Sequence, residues 1–146
     1  MALDLTIYQT SPDRDARTLA QESVKRNVDL IIVSGGDGTI NAAAEAMARS
    51  SIPMAIIPRG TANAVATALD IPNSLEAACD IALDGTVRTI DTAICNHQPM
   101  VLLAGIGLEA DVIEQVSRDS KDRFGALAYL MSGVRQLSEL DLFQAT

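Results

Sequence analysis

The sequence predicts an α/β domain on a parallel sheet over residues 1–85, followed over 86–146 by the beginning of an antiparallel β layer. Three observations predict it. Short apolar runs alternate with amphipathic, alanine-rich stretches in the first part. Two of those runs, at residues 30–33 and 54–57, pass directly into glycine turns that open helical stretches. After Asp84-Gly85 the pattern changes to two apolar runs separated by Asn96-His97, which reads as a hairpin.

The elements follow in order. Residues 5–8 are short and apolar and predict a strand. Ser11-Pro12-Asp13 offers a helix N-cap, a proline at the first helical position and an acid in the first turn. Ala16, Leu19, Ala20, Ser23 and Val24 then fall on one stripe at the 3.6-residue period. Leu30, Ile31, Ile32 and Val33 form an unbroken apolar run, expected of a strand covered on both faces. Residues 40–48 read as a helix. Pro53 opens a strand over 54–57, and Thr61 is expected to cap a helix reaching about Leu69. Asn73 with Glu76 resembles a capping box for a helix to about Leu83. With this βαβαβα order the crossovers should be right-handed. In the second part, residues 87–95 read as a strand and 100–104 as its return. Helices are expected over 108–116 and 125–137, and a strand begins at 140–143.

Composition narrows the function. Apolar residues make up 48% of the 146, and aromatics only 3%. The core is therefore built from Ala, Leu, Ile and Val. A net charge of −8 argues against nucleic-acid binding and against simple electrostatic attachment to anionic lipid. Cys79 and Cys95 have no metal-ligand spacing and read as reduced thiols of a cytoplasmic protein. The sequence has no secretion signal and no apolar run long enough to span a membrane. His97 falls in the expected hairpin turn and reads as solvated.

The sharpest signal is Gly35-Gly36-Asp37-Gly38-Thr39 between an apolar run and a helix. Glycine permits positive φ and lets a ligand approach the backbone. A helix N-terminus presents unpaired N–H groups and partial positive charge, a ready site for phosphate. No lysine lies in the loop, so charge neutralisation calls for a metal or a nearby arginine. Asp37 reads as a carboxylate bridged to phosphate through Mg²⁺, or as an Asx-type turn residue. Residues 57–63, Ile-Pro-Arg-Gly-Thr-Ala-Asn, repeat the design. Thr61 would donate to a phosphate oxygen, Arg59 would supply positive charge at Gly60, and Asn63 would bond a ribose or base. Thr61 or Asn63 as a plain helix cap is the competing reading. In a parallel sheet both loops lie at the carboxyl edge, where open α/β folds bind ligands. Thr10 would reach that edge too.

These paired motifs are similar to those of the diacylglycerol kinase catalytic domain family, which includes sphingosine kinases and bacterial lipid kinases. Arg88-Thr89-Ile90-Asp91, Ala104-Gly105-Ile106-Gly107-Leu108-Glu109-Ala110 and Phe124-Gly125-Ala126-Leu127-Ala128-Tyr129 resemble further segments of it, so the likeness covers nearly the whole chain. The pairing, with about twenty residues between motifs, is the specific part. GGDGT alone is also found in NAD kinases, and a near variant in phosphofructokinases.

The resemblance implies an NAD-kinase-like nucleotide domain followed by a β-sandwich domain, with the nucleotide in a cleft between them. It implies ATP and Mg²⁺ as cofactors and a lipid alcohol as acceptor. ATP contacts would come from Thr10, Gly35, Gly36, Asp37, Gly38, Thr39, Ile40, Asn41 and Thr61, with Asp37 the catalytic position near the phosphates. Three departures stand out. The family's opening strand and Asn-Pro-x-Ser/Ala-Gly loop are missing, and its acidic general base and distal Mg²⁺ ligands are expected beyond Thr146. Ala62 replaces a usual glycine. The expectation is therefore a shortened lipid kinase, catalytically silent by itself and prone to pair, as a homodimer or otherwise, through its open hairpin edge. Peripheral membrane contact would suit a lipid substrate, and a lip at residues 117–123 is one place for it, although a solvated loop is the default there. Asp91 and Glu109 stand as alternative acids. A regulatory nucleotide-binding segment without catalysis is the competing reading. An NAD kinase is disfavoured because its second motif differs.

Overall fold

The computed structural model describes residues 3–95 and 98–101. Strand β1 (Ile31–Gly35) and strand β2 (Met54–Pro58) form a two-stranded parallel sheet, joined by helix α2 (Asp37–Met47). Register runs from Ile31 opposite Met54 to Gly35 opposite Pro58. The ladder is bracketed by Ile31 N–H to the Pro53 carbonyl at 3.1 Å and Arg59 N–H to the Gly35 carbonyl at 2.9 Å. The expected parallel α/β arrangement is therefore present. Ile40, Ala43 and Met47 are buried along one face of α2, at the helical period. They join Ala20, Val33, Ile56, Val65 and Ala66 in one core cluster. Ile40 is its most enclosed large side chain, with no exposed surface.

Coverage on both faces of β1 is not observed among the described residues. Val33 is buried but Ile32 is 36% exposed, the alternation of a strand packed on one side.

Helix α1 (Ala16–Lys25) packs on α2. The expected stripe holds, with Leu19 and Ala20 buried on it. Its start differs from expectation. Ser11 and Arg14 exchange backbone hydrogen bonds in a tight turn, and Asp15 is the cap, its carboxylate accepting the Thr18 N–H at 2.8 Å. The Arg17 guanidinium pairs with Glu45 and ties the two helices together. The strand expected at residues 5–8 is absent. That segment takes no strand pairing among the described residues, with Leu5 65% and Ile7 82% exposed. A strand is defined by its partner's hydrogen bonds, which apolar residues alone do not supply.

Helix α3 (Ala64–Ala68) is shorter than expected and is entered through Asn63, not Thr61. Helix α4 (Leu75–Asp84) is capped by Ser74 in place of Asn73 and packs on β2. Strand β3 (Ala93–Cys95) pairs antiparallel with β4 (Gln98–Met100). The expected antiparallel pairing is thus present, but the first strand is shorter than expected, since residues 87–92 take no strand pairing among the described residues and Val87 is 74% exposed, while residues 102–104 of the expected return lie outside the described residues. His97, Glu109 and the helices and strand expected from residue 108 onward lie outside the described residues.

Truncating Ile40 to Ala should lower unfolding free energy by about 2–5 kcal/mol, the cost of emptying a closed core position; urea titration measures it. Acid should weaken the start of α1. The Thr18 backbone N–H and hydroxyl hold the Asp15 carboxyl below its ordinary 3.8. Its contribution is therefore full above that value and lost as pH falls through the lowered one. The protection of the Thr18 amide, its exchange measured against the intrinsic rate at each pH, should fall below about pH 4, and Asp15→Ala should abolish that change in protection.

Candidate functional site

The site forms where β1 and β2 end. Gly35 closes β1, and Gly36 is the N-cap of α2 without a side chain to satisfy the first turn. The N–H groups of Asp37, Gly38 and Thr39 are thus the donors that a helix leaves without intrahelical partners. The reason for glycine here is space and not left-handed backbone. A Cβ on Gly60 would lie 2.6 Å from the Gly36 Cα, and one on Gly36 would lie 3.1 Å from the Gly60 Cα. The two loops touch backbone to backbone. Gly35 leaves room for the Thr39 side chain, 2.8 Å from where its Cβ would be. Among the described residues a Cβ at Gly38 would meet nothing within 4 Å, so no packing among them requires glycine there.

Asp37 joins the loops a second time. Its Oδ1 accepts the Val65 N–H at 3.1 Å. Val65 is in the first turn of α3, so the carboxylate satisfies one of that helix's orphan donors from another loop. The other carboxylate oxygen makes no hydrogen bond or ion pair among the described residues. At the first turn of α2 the negative charge also sits favourably in the helix field.

Asn63 is buried and left-handed, with φ 48° and ψ 45°. Its Oδ1 accepts the Gly60 N–H at 2.7 Å, and its Nδ2 donates to Asn73 Oδ1 at 3.0 Å. Its carbonyl accepts both the N–H and the hydroxyl of Thr67. An open depression of about 450 Å³ is lined by Pro58, Arg59, Gly60, Thr61, Asn63, Asn73 and Leu75. Arg59 and Thr61 expose their side chains there.

The structure therefore brings Gly35, Gly36 and Asp37 together with Gly60 and Asn63. The Ile40 side chain belongs to the core, and Asn41 is half-buried on α2. Thr10 is exposed and makes no hydrogen bond to either loop among the described residues. Asp91 is exposed between α4 and β3. Sequence reasoning missed Asn73, assigning it to a cap. The signal was Ser74, a second cap residue directly before the helix, which frees Asn73.

The model of the diacylglycerol kinase catalytic domain matches residues 1–95. A probable lipid kinase, YegS-like, of Pseudomonas aeruginosa is 37% identical over 97% of this chain and 47% of its own length. The diacylglycerol kinase of Bacillus subtilis is 34% identical over 94% of this chain and 46% of its own. The chain thus spans less than half the length of these curated relatives. The crystal structure of a diacylglycerol kinase from Bacillus anthracis superposes with a TM-score of 0.60 at 27% identity, covering 85% of this chain and 43% of that one.

Substituting Gly60 with Ala should force the loops apart and cost about 1–3 kcal/mol, as overpacking does. The unfolding midpoint measures this, and an unchanged midpoint would show that the contact can relax freely.

Proposed function

The chain belongs to the diacylglycerol kinase catalytic domain family, and on that premise we propose that it carries the nucleotide site of an ATP-dependent lipid kinase, which moves the γ-phosphate to a lipid hydroxyl. The observation that carries this reading is the backbone contact between Gly36 and Gly60. It sets the open N-terminus of α2 beside the depression at Arg59 and Thr61. Phosphate oxygens would accept from the first-turn N–H groups at Gly38 and Thr39, and Arg59 and Thr61 would bind from the second loop. Ligand approach would explain glycine at position 38, since no atom of the described residues needs the space.

The residues fit a metal–nucleotide, not a caged metal. Among the described residues no three His, Cys, Asp or Glu side chains gather. Mg²⁺ characteristically takes one or two carboxylates, phosphate oxygens and waters, and the uncommitted oxygen of Asp37 is such a donor. Bound with ATP, Mg²⁺ would neutralise the phosphate oxygens and stabilise charge during transfer. The chain's own contribution is positioning. The domain plan that accompanies this reading is nucleotide-binding over 1–85 and β-sandwich from 86. No described helix is long and apolar enough to cross a membrane. With a net charge of −8, lipid contact would rely on apolar surface rather than on charge.

A non-catalytic nucleotide-binding role is the second reading, and the Asp37–Val65 bond favours it by giving the carboxylate structural work. Two variants separate the readings. Gly38→Ala should keep or raise stability, by up to about 1 kcal/mol, while weakening Mg–ATP binding roughly tenfold in calorimetric titration. Unchanged binding would remove phosphate from that loop. Asp37→Asn keeps an oxygen for Val65, so its stability should fall by no more than about 1 kcal/mol. In the whole kinase its turnover should fall by several kcal/mol of transition-state stabilisation. Normal turnover with early melting would make Asp37 structural.

A further inference from the structure

We infer that Asn73 is a positioning residue for the second glycine loop: its side-chain oxygen locks the Asn63 amide, and that amide holds Gly60 in place for an arriving phosphate. The last clause rests on the nucleotide reading above. The lock itself rests on hydrogen-bond chemistry.

Asn63 is the one buried polar side chain among the described residues, at 6% exposure. Its amide has a donor end and an acceptor end. The Gly60 N–H can only donate, so Oδ1 must face it, as it does at 2.7 Å. The NH₂ end is then committed to the opposite side, where a buried donor without a partner is costly. Asn73 Oδ1 meets it at 3.0 Å. If the Asn63 amide flipped, two donors would face each other at Gly60 and two acceptors at Asn73. The Gly60 N–H therefore sets the orientation, and the Asn73 oxygen supports it by giving the buried NH₂ end its partner.

The backbone of Asn63 is pinned as well. It lies in the left-handed region, which Asn tolerates better than most residues, and its carbonyl takes two bonds from Thr67. What remains is the side chain, held by Gly60 at one end and by Asn73 at the other. Asn73 is available because Ser74, not Asn73, caps α4. Asn63, Asn73, Gly60 and Thr61 line the same depression. A residue outside both glycine motifs thus governs the shape of one of them.

The test compares the unaltered chain with Asn73→Ala and Asn73→Asp by amide exchange at Gly60 and by titration with Mg–ATP. Exchange at Val33, within the β1–β2 ladder, reports general loss of stability. Alanine removes the acceptor, whereas aspartate keeps it and adds negative charge at the rim. In Asn73→Ala, Gly60 should exchange roughly tenfold faster relative to Val33, and Mg–ATP should bind roughly tenfold more weakly. In Asn73→Asp, Gly60 exchange should stay within about twofold of normal, while Mg–ATP binding weakens through charge repulsion. That split is one a merely structural residue would not produce. Unchanged Gly60 exchange in Asn73→Ala overturns the lock. Faster exchange with unchanged Mg–ATP affinity overturns the positioning role. If the unaltered chain takes up no Mg–ATP, the nucleotide reading and the positioning role fall together, and faster Gly60 exchange in Asn73→Ala still upholds the Asn63 lock.

Discussion

The contact between the Gly36 and Gly60 backbones is the constraint on which the site depends. Register brings Gly35 opposite Pro58, and past that pair both chains must turn into helices. Side chains at the turning points would push the turns apart, since a Cβ at Gly60 would lie 2.6 Å from Gly36. Without them, Arg59 reaches the Gly35 carbonyl and the ladder extends by one more bond. Asp37 then spans the junction to Val65. Beneath it, Ile40 and Val65 enter the same core cluster. Two loops that are separate in sequence are in this way one rigid edge, with the core holding both helices from below.

What was legible follows from how local each signal is. The strand–glycine–helix passages at 31–47 and 54–68 were readable because apolar run, turn and helix lie within a few residues of one another. The start of α1 was not, because two cap signals stand four residues apart. Ser11 closes a turn on Arg14, and Asp15 caps the helix. Local rules rank such signals poorly, since either residue type can cap a helix. Residues 5–8 failed for a different reason. Leu5 and Ile7 have strand character, but pairing is decided by what lies alongside, and they are largely exposed.

The meeting of the two glycine loops at one sheet edge was legible, but the reasons for its residues were only partly so. In the sequence, glycine read as a residue chosen for conformational freedom and for close ligand approach. In the structure Gly36 and Gly60 serve close approach, and Gly38 is left without a packing reason among the described residues. Asn63 and Asn73 were both assigned to local capping or ligand contact. Their amide pairing spans ten residues, beyond the reach of any spacing rule. A buried left-handed Asn is recognisable only once its donors and acceptors are counted in three dimensions.

In the proposed site one carboxylate, Asp37, would serve fold and chemistry together. One oxygen is committed to Val65, which fixes the group's orientation and costs it little of its charge. The remaining negative charge faces the same helix N-terminus that would attract a phosphate. Two like charges about 4 Å apart repel by roughly 1 kcal/mol in water and roughly 4 kcal/mol near a protein surface, comparable to or larger than the attraction of a helix terminus for an anion, about 0.3–1 kcal/mol at exposed sites. A bare phosphate would therefore gain little here, whereas one arriving with a divalent cation would turn the repulsion into attraction. The carboxylate in the glycine loop is thus a physical reason to expect a metal–nucleotide rather than a free anion.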